Sequence, residues 1–187
     1  MQTLFIDKEI KYTGVQLSPH WIYKKFNIMG NAIVSFIGEC EVSLEHMVDI
    51  EDVINDEPIY SKKMLSFIEE NFDASLVEMV YKQRLLVTIT KELIEKKYPQ
   101  INIRRCGDDL FVNNRKLSVS IATKSITSTL IHFGLNIDAQ GAPVAASDLY
   151  SDIGITDIKQ FALEILEAYK NEVKDINLAK SKVRGVI

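Results

Sequence analysis

The feature that most constrains this chain is a change of period at Pro99. Before it, Leu76, Met79, Val80, Leu86, Val87, Leu93 and Ile94 recur at helical spacing, and Asp73 or Ser75 can cap the start. A helix this long and apolar, stopped near Tyr98 by the following proline, belongs against one face of a sheet. Beyond Pro99 the period becomes two. Ile101 to Arg105 reads as a short strand, Gly107-Asp108 as a turn, and Leu110-Phe111-Val112 as a strand running into Asn113-Asn114. Asparagine tolerates the positive φ that a tight hairpin needs. Leu117, Val119 and Ile121 alternate with Ser118, Ser120 and Ala122. Thr129, Ile131, Phe133, Leu135 and Ile137 alternate with Leu130, His132, Gly134 and Asn136. Alternation of this kind predicts two antiparallel strands, each with one core face and one polar face.

The remaining segments fill in an α/β (α+β) fold, a mainly antiparallel mixed sheet packed by helices, in one domain over 1–187. Leu4-Phe5-Ile6 is a first short strand. Ser18 and Pro19 suit the cap and first position of a helix. Ala32 to Val42 is apolar on both faces and so predicts a central strand. Met47 to Pro58 reads as acidic and irregular, and Lys62 to Phe72 as a short amphipathic helix. Residues 139–155 read as a loop. Asp157 with Gln160 predicts a capping box, followed by a closing helix with the stripe Ile158, Phe161, Ile165, Leu166, Tyr169 and Val173.

The 187 residues, 47% hydrophobic and 26% charged, suit a folded chain with a sizeable core. No apolar run reaches bilayer-spanning length, and the N-terminus lacks the pattern of a secretory signal. Cys40 and Cys106 are the only cysteines; with no disulfide framework, a reducing, cytoplasmic setting is expected. A net charge of −4 argues against a membrane surface or nucleic acid as partner. Charge is segregated. Residues 39–73 carry eleven acids against Lys62 and Lys63, whereas 101–136 carry Arg104, Arg105, Arg115, Lys116 and Lys124 against Asp108 and Asp109. The acidic run Asp49, Glu51, Asp52, Asp56, Glu57 lacks calcium-loop spacing and reads as solvated surface.

Phosphate loops, dinucleotide fingerprints, nucleophile elbows and metal-ligand spacings of His20, His46 and His132 are all missing. Chemistry concentrates instead in Arg104 to Ala122. Read by alternation, Lys116, Ser118 and Ser120 share one strand face, with Asp108 and Asp109 before the turn and His132 and Asn136 on the next strand. A lysine, two hydroxyls, an imidazole and two carboxylates can bind and polarise a carboxylate, an acyl phosphate or a nucleotide. The serines have no activating partner and read as hydrogen-bond donors.

This hairpin resembles one in biotin- and lipoate-protein ligases, whose motif runs Asn-Asp-aliphatic, a turn, Arg/Lys, a lysine, an aliphatic residue, Ser/Ala and Gly. Asp108-Asp109-Leu110, Asn113-Asn114 and Lys116-Leu117-Ser118 stand in those places, and His132-Phe133-Gly134 is similar to the next strand. The resemblance implies that Lys116 contacts the acyl carboxylate and the α-phosphate of an adenylate, with ATP and magnesium as co-reactants. Over essentially its whole length the chain resembles a further family, domain of unknown function 366, through His20-Trp21, Asp49-Ile50-Glu51-Asp52, Arg105 with Gly107-Asp108-Asp109, Arg115 to Thr123, and Ile131-His132 with Gly134-Leu135-Asn136. There are departures from the ligase pattern. Val119 replaces the glycine, no Gly-rich segment follows Arg104-Arg105, and Asp108 in place of asparagine favours a cation or amine over a phosphate.

The expected site is therefore Lys116 as the catalytic residue, with Arg105, Gly107, Asp108, Asp109, Ser118, Ser120, His132, Asn136, His20 and Trp21 binding substrate, and no resident metal. The expected activity is acyl or adenylyl transfer on a small carboxylate or heterocycle. The alternatives are a non-catalytic binder that kept the ligase pocket and an accessory protein acting on tRNA. The expected partner is a small-molecule ligand, and a homodimer is left open.

Overall fold

The computed structural model describes residues 1–142 and 144–186. Its elements run β1 (Gln2–Ile6), α1 (Trp21–Phe26), β2 (Ala32–Val42), α2 (Ile50–Ile54), β3 (Ile59–Asn71), α3 (Leu76–Lys97), β4 (Ile103–Cys106), β5 (Asp109–Val112), β6 (Arg115–Lys116), β7 (Ser118–Lys124), β8 (Thr129–Asp138) and α4 (Ile158–Ala179). The main sheet has the order β1-β2-β3-β8-β7. β1 pairs parallel with β2, and the other three pairings are antiparallel. A smaller antiparallel sheet, β4-β5-β6, carries the hairpin. The expected mixed, mainly antiparallel α+β architecture is the one found.

Local chemistry explains the helix boundaries. Ser75 Oγ accepts from the Glu78 amide, and the Glu78 carboxylate accepts from the Ser75 amide, so α3 starts with a reciprocal cap. Asp157 accepts from the Gln160 amide at the start of α4. The expected Ser18 cap is not formed. Ser18 Oγ donates to the Val15 carbonyl, and α1 begins after His20, which sits at φ 63°.

β3 corrects the sequence reading most. Residues 62–72 were expected as an amphipathic helix, but 59–71 form a strand hydrogen-bonded on both edges, to β2 and β8. Met64, Leu65, Phe67 and Ile68 satisfy helical spacing by coincidence, because both faces of the strand are buried and no alternation survives. Two other segments hold more structure than expected. The acidic stretch contains α2, capped by Asp49 through the Glu51 amide, and the loop 139–155 contains one π-helical turn at Leu149–Ile153.

One sheet face carries Ile33, Leu65, Phe67, Ile131, Phe133 and Leu135 and packs against Met79, Leu86, Val87 and Ile94 of α3 and Phe161, Ile165 and Tyr169 of α4. The other carries Ala32, Val34, Phe36, Met64, Ile68 and Leu130 and is covered by Tyr12, Leu17 and Ile22 from the segment between β1 and β2. The expected one-sided strands are thus corrected for β8, which is buried from Thr129 to Ile137. Glu69 is fully buried on the helical face. Its carboxylate accepts from Tyr169 Oη at 2.6 Å and pairs with Lys82 Nζ at 2.5 Å, which ties α3 and α4 to β3. Tyr169→Phe removes a bond to a buried charge and is expected to cost about 1.5–3 kcal/mol in urea unfolding.

At Gly38 the segment between β1 and α1 passes so close that an added Cβ would lie 2.0 Å from the Ile10 carbonyl oxygen. That oxygen is backbone and cannot rotate away. Gly38→Ala is expected to destabilise by about 1–3 kcal/mol, read as a lower urea midpoint with unchanged slope.

Candidate functional site

The hairpin turns on Asn113 and Asn114, at φ 50° and 62°, the left-handed pair that a two-residue turn requires. Lys116 then stands opposite Phe111, diagonal to Asp109 on the same face. Lys116 Nζ lies 2.9 Å from Asp109 Oδ2. The Lys116 backbone is held on its other edge too. Its amide donates to the Ala145 carbonyl, and its carbonyl accepts from the Ser147 amide. Asn136 Nδ2 donates to the Ser147 carbonyl at 3.2 Å, and the Asn136 amide to the Leu117 carbonyl at 3.0 Å. The lysine therefore projects from a backbone held between β5 and the segment 145–147.

A cavity of about 330 Å³ opens beside it. Tyr12, Met64, Val119, Ile121, His132 and Asn136 line it, as do Asp49, Glu51, Asp52 and Glu57 from α2 and its flanks, and Asp109 and Lys116. The acidic stretch is solvated as expected, with Glu51, Asp56 and Glu57 exposed, and tertiary folding also sets Asp49, Glu51, Asp52 and Glu57 along one side of the cavity. His132 is buried, stacks on Tyr12 with ring centroids 3.7 Å apart, and places Nε2 3.3 Å from Ser66 Oγ. Burial pulls its pKa down to about 3, so the ring is neutral near pH 7. Burial raises the Asp109 carboxyl above its usual range, against the opposing pull of Lys116. Asp52 is raised first by burial and then by Asp49, while Lys116 opposes.

Ser118 and Ser120 behave differently from the alternation argument. They pair with Leu135 and Phe133 of β8, whereas His132 pairs with Ile121 and Gly134 with Val119. Both hydroxyls are engaged on the helical side. Ser118 Oγ accepts from the Leu110 amide at 2.8 Å, and Ser120 Oγ meets Gln83 Nε2 at 2.7 Å and Asp108 Oδ2 at 3.2 Å. The face shared by Lys116 and the serines is lost at Leu117, where the chain leaves the small sheet for the large one, so side-chain parity does not carry across.

Asp108 also accepts from Gln83 Nε2 at 2.8 Å and lies 3.0 Å from Arg84 Nη1. These bonds to α3 and β7 anchor the hairpin, and Asp108 also borders the cavity. Gly107, at φ 62°, lies against Arg84, and Arg105 is exposed and donates to the Gly107 carbonyl. Neither lines the cavity. His20 and Trp21 lie at the far end of β3. The His20 amide donates to Glu70, six residues or roughly 20 Å along the strand from Met64. Trp21 packs on Phe26 and Phe36, and His20 borders a separate shallow pocket with Phe72 and Met29. The structure thus brings Lys116, Asp108, Asp109, Ser118, Ser120, His132 and Asn136 to one cavity, and leaves His20, Trp21, Arg105 and Gly107 outside it. It adds Tyr12, which no local pattern marked. Among the described residues no three carboxylate, imidazole or thiol groups converge as a metal site, and no helix is long and apolar enough to cross a membrane.

The architecture is that of the biotin and lipoate protein ligases. A biotin protein ligase from Aquifex aeolicus, in complex with biotin and ATP, superposes with a TM-score of 0.60 at 15% identity over 92% of this chain and 70% of that one. A candidate lipoate protein ligase from T. acidophilum, with bound lipoic acid, superposes at 0.57 with 10% identity over 92% and 86%. At these identities the likeness concerns the fold. The chain belongs to the family described as domain of unknown function (DUF366), whose model matches residues 1–184. An uncharacterised protein of Methanocaldococcus jannaschii is 38% identical over 94% of this chain and 81% of its own length. A protein of unknown function from Pyrococcus horikoshi shares 36% identity and a TM-score of 0.91 over 100% and 99%.

Proposed function

We propose that the chain is a ligase-type enzyme that activates a small carboxylic acid for acyl or adenylyl transfer in the cavity beside Lys116. The observation that carries this reading is Lys116 itself, a single lysine whose backbone amide and carbonyl are both bonded to residues 145 and 147 and which borders a cavity in a ligase fold. Support also comes from the similar structures that contain biotin with ATP and lipoic acid. In the activation step a carboxylate oxygen attacks the α-phosphorus of ATP, the bond to the bridging oxygen breaks, and pyrophosphate leaves. Lys116 stabilises the negative charge that builds on the transferring group, a role suited to a preorganised cation in a partly dry site. Magnesium would enter with the nucleotide, where it would neutralise phosphate charge.

The test is acid-dependent exchange of labelled pyrophosphate into ATP, with magnesium and a panel of small carboxylic acids. Exchange that requires one acid supports the proposal. Absence of exchange with every acid, together with a ligand that raises the unfolding temperature, favours the second reading, a binder that performs no chemistry. A specific feature favours that reading: Val119 lines the cavity where the ligase motif has glycine, so a branched side chain occupies space next to the backbone.

A further inference from the structure

The charges around the cavity do not cancel. Lys116 is paired with Asp109, and Asp108 with Arg84. Asp49, Glu51, Asp52 and Glu57 line the same cavity, and none of the four has an ion-pair partner among the described residues; Asp49 serves only to cap its own helix. A ligand bearing only a carboxylate or phosphate would meet one lysine, already paired with Asp109, and leave the acids opposite without a counter-charge.

The floor is a second, independent observation. Tyr12 is 3% exposed and lines the cavity; its hydroxyl bonds to no other described residue and is not sealed off, so it is open to the cavity. A phenol set in a cavity wall normally takes its partner from the cavity, water or a ligand. Around it lie Met64, Val119, Ile121 and the flat, neutral His132 ring. This floor suits an apolar or aromatic body carrying an acceptor for the Tyr12 hydroxyl.

We propose that the ligand of this cavity is an amine-bearing small molecule, its protonated amine against Asp52, Asp49 and Glu57 and its apolar body over Tyr12 and Met64. The inference rests on the cavity being the ligand site and deepens the reading above. A substrate with both groups would place its carboxylate at Lys116 and its ammonium at the acidic wall, as an amino acid or amino-acid-like compound does. The amine preference stands whether or not chemistry follows binding.

The experiment is titration calorimetry without ATP, using three probes of one skeleton: phenethylamine, 3-phenylpropionate and phenylalanine. The amine-bearing probes are expected to bind at least tenfold more tightly than 3-phenylpropionate, and the preference is expected to shrink as salt rises. Asp52→Asn and Glu57→Gln, both on exposed or half-exposed positions of the wall, are expected to erase most of the preference. Lys116→Ala, which leaves Asp109 without its ammonium partner, is expected to tighten phenethylamine and to weaken 3-phenylpropionate. Tighter binding of 3-phenylpropionate, equal binding of all three, or no binding of any overturns the proposal. Pyrophosphate exchange reports separately on activation, so the two readings can fail independently. If the wall variants unfold, the salt dependence on the wild-type chain still decides.

Discussion

Lys116→Ala is expected to lower acid-dependent pyrophosphate exchange by about a hundredfold or more, the scale of losing one donor that stabilises developing charge. The fold should survive the change. The lysine side chain is about one-third exposed, and what fixes the strand is its backbone bonding to residues 145 and 147. Substrate affinity should fall much less than turnover, because a group that acts on charge formed in the transition state contributes little to ground-state binding. Lys116→Arg keeps the charge but replaces a compact ammonium with a wide planar fork, and should restore only part of the activity. Asp109 gives the complementary control. Asp109→Asn frees the ammonium from its pairing and should change KM and kcat in different proportions, whereas a merely structural pair would shift both through lost stability. Full exchange in Lys116→Ala would remove the lysine from the mechanism and with it the residue on which the proposal stands.

How much of this was legible before folding depended on whether the signal was local. The Asn113-Asn114 turn could be read because positive φ at two successive residues restricts which side chains fit, and Ser75 with Glu78 because a reciprocal cap spans three residues. β2 was legible as a run apolar on both faces. β3 has the same character, but Lys62, Lys63, Glu69 and Glu70 interrupt it. Nothing within it shows that Glu69 pairs with Lys82 and Tyr169, one hundred residues further on. The cavity followed the same division. Lys116 and Asp109 come from one hairpin, and a motif exposed them. Tyr12, Asp52 and His132 come from three distant segments, and only the sheet order β2-β3-β8-β7 brings them together. Ser118 and Ser120 reach the cavity that Lys116 borders, but not from a shared strand face, because at Leu117 two sheets share a continuous chain and strand parity resets.

His132 should make the protein markedly less stable in acid, and the direction follows from where its proton goes. In the unfolded chain the imidazole titrates near 6.5; in the folded protein burial lowers this to about 3. Between those values the unfolded chain holds a proton that the folded chain does not. Stability is therefore complete above about pH 6.5 and is lost as pH falls toward 3, by at most about 1.4 kcal/mol per pH unit, or roughly 3 kcal/mol between pH 7 and pH 4. The groups facing the ring, Tyr12 and Ser66, are neutral and cannot compensate a charge there. Other groups titrate in this range with opposite signs. Glu164 and Asp138 have lowered pKa values and lose stability in acid, while the raised Asp52 and Asp109 gain it. The comparison must therefore be made between wild type and His132→Gln, which keeps a polar partner for Ser66 but does not titrate. Urea unfolding at pH 7 and pH 4 should show a distinctly smaller acid loss in the variant, and the imidazole proton resonances of the wild type should stay in the neutral position at pH 4.5. Equal acid losses in the two proteins would mean that the ring charges without penalty. The neutral ring also bears on the site. An imidazole that carries no charge near pH 7 does not attract an anion, so Lys116 is left as the cation over the cavity, and the work of His132 is to hold the Tyr12 ring in place.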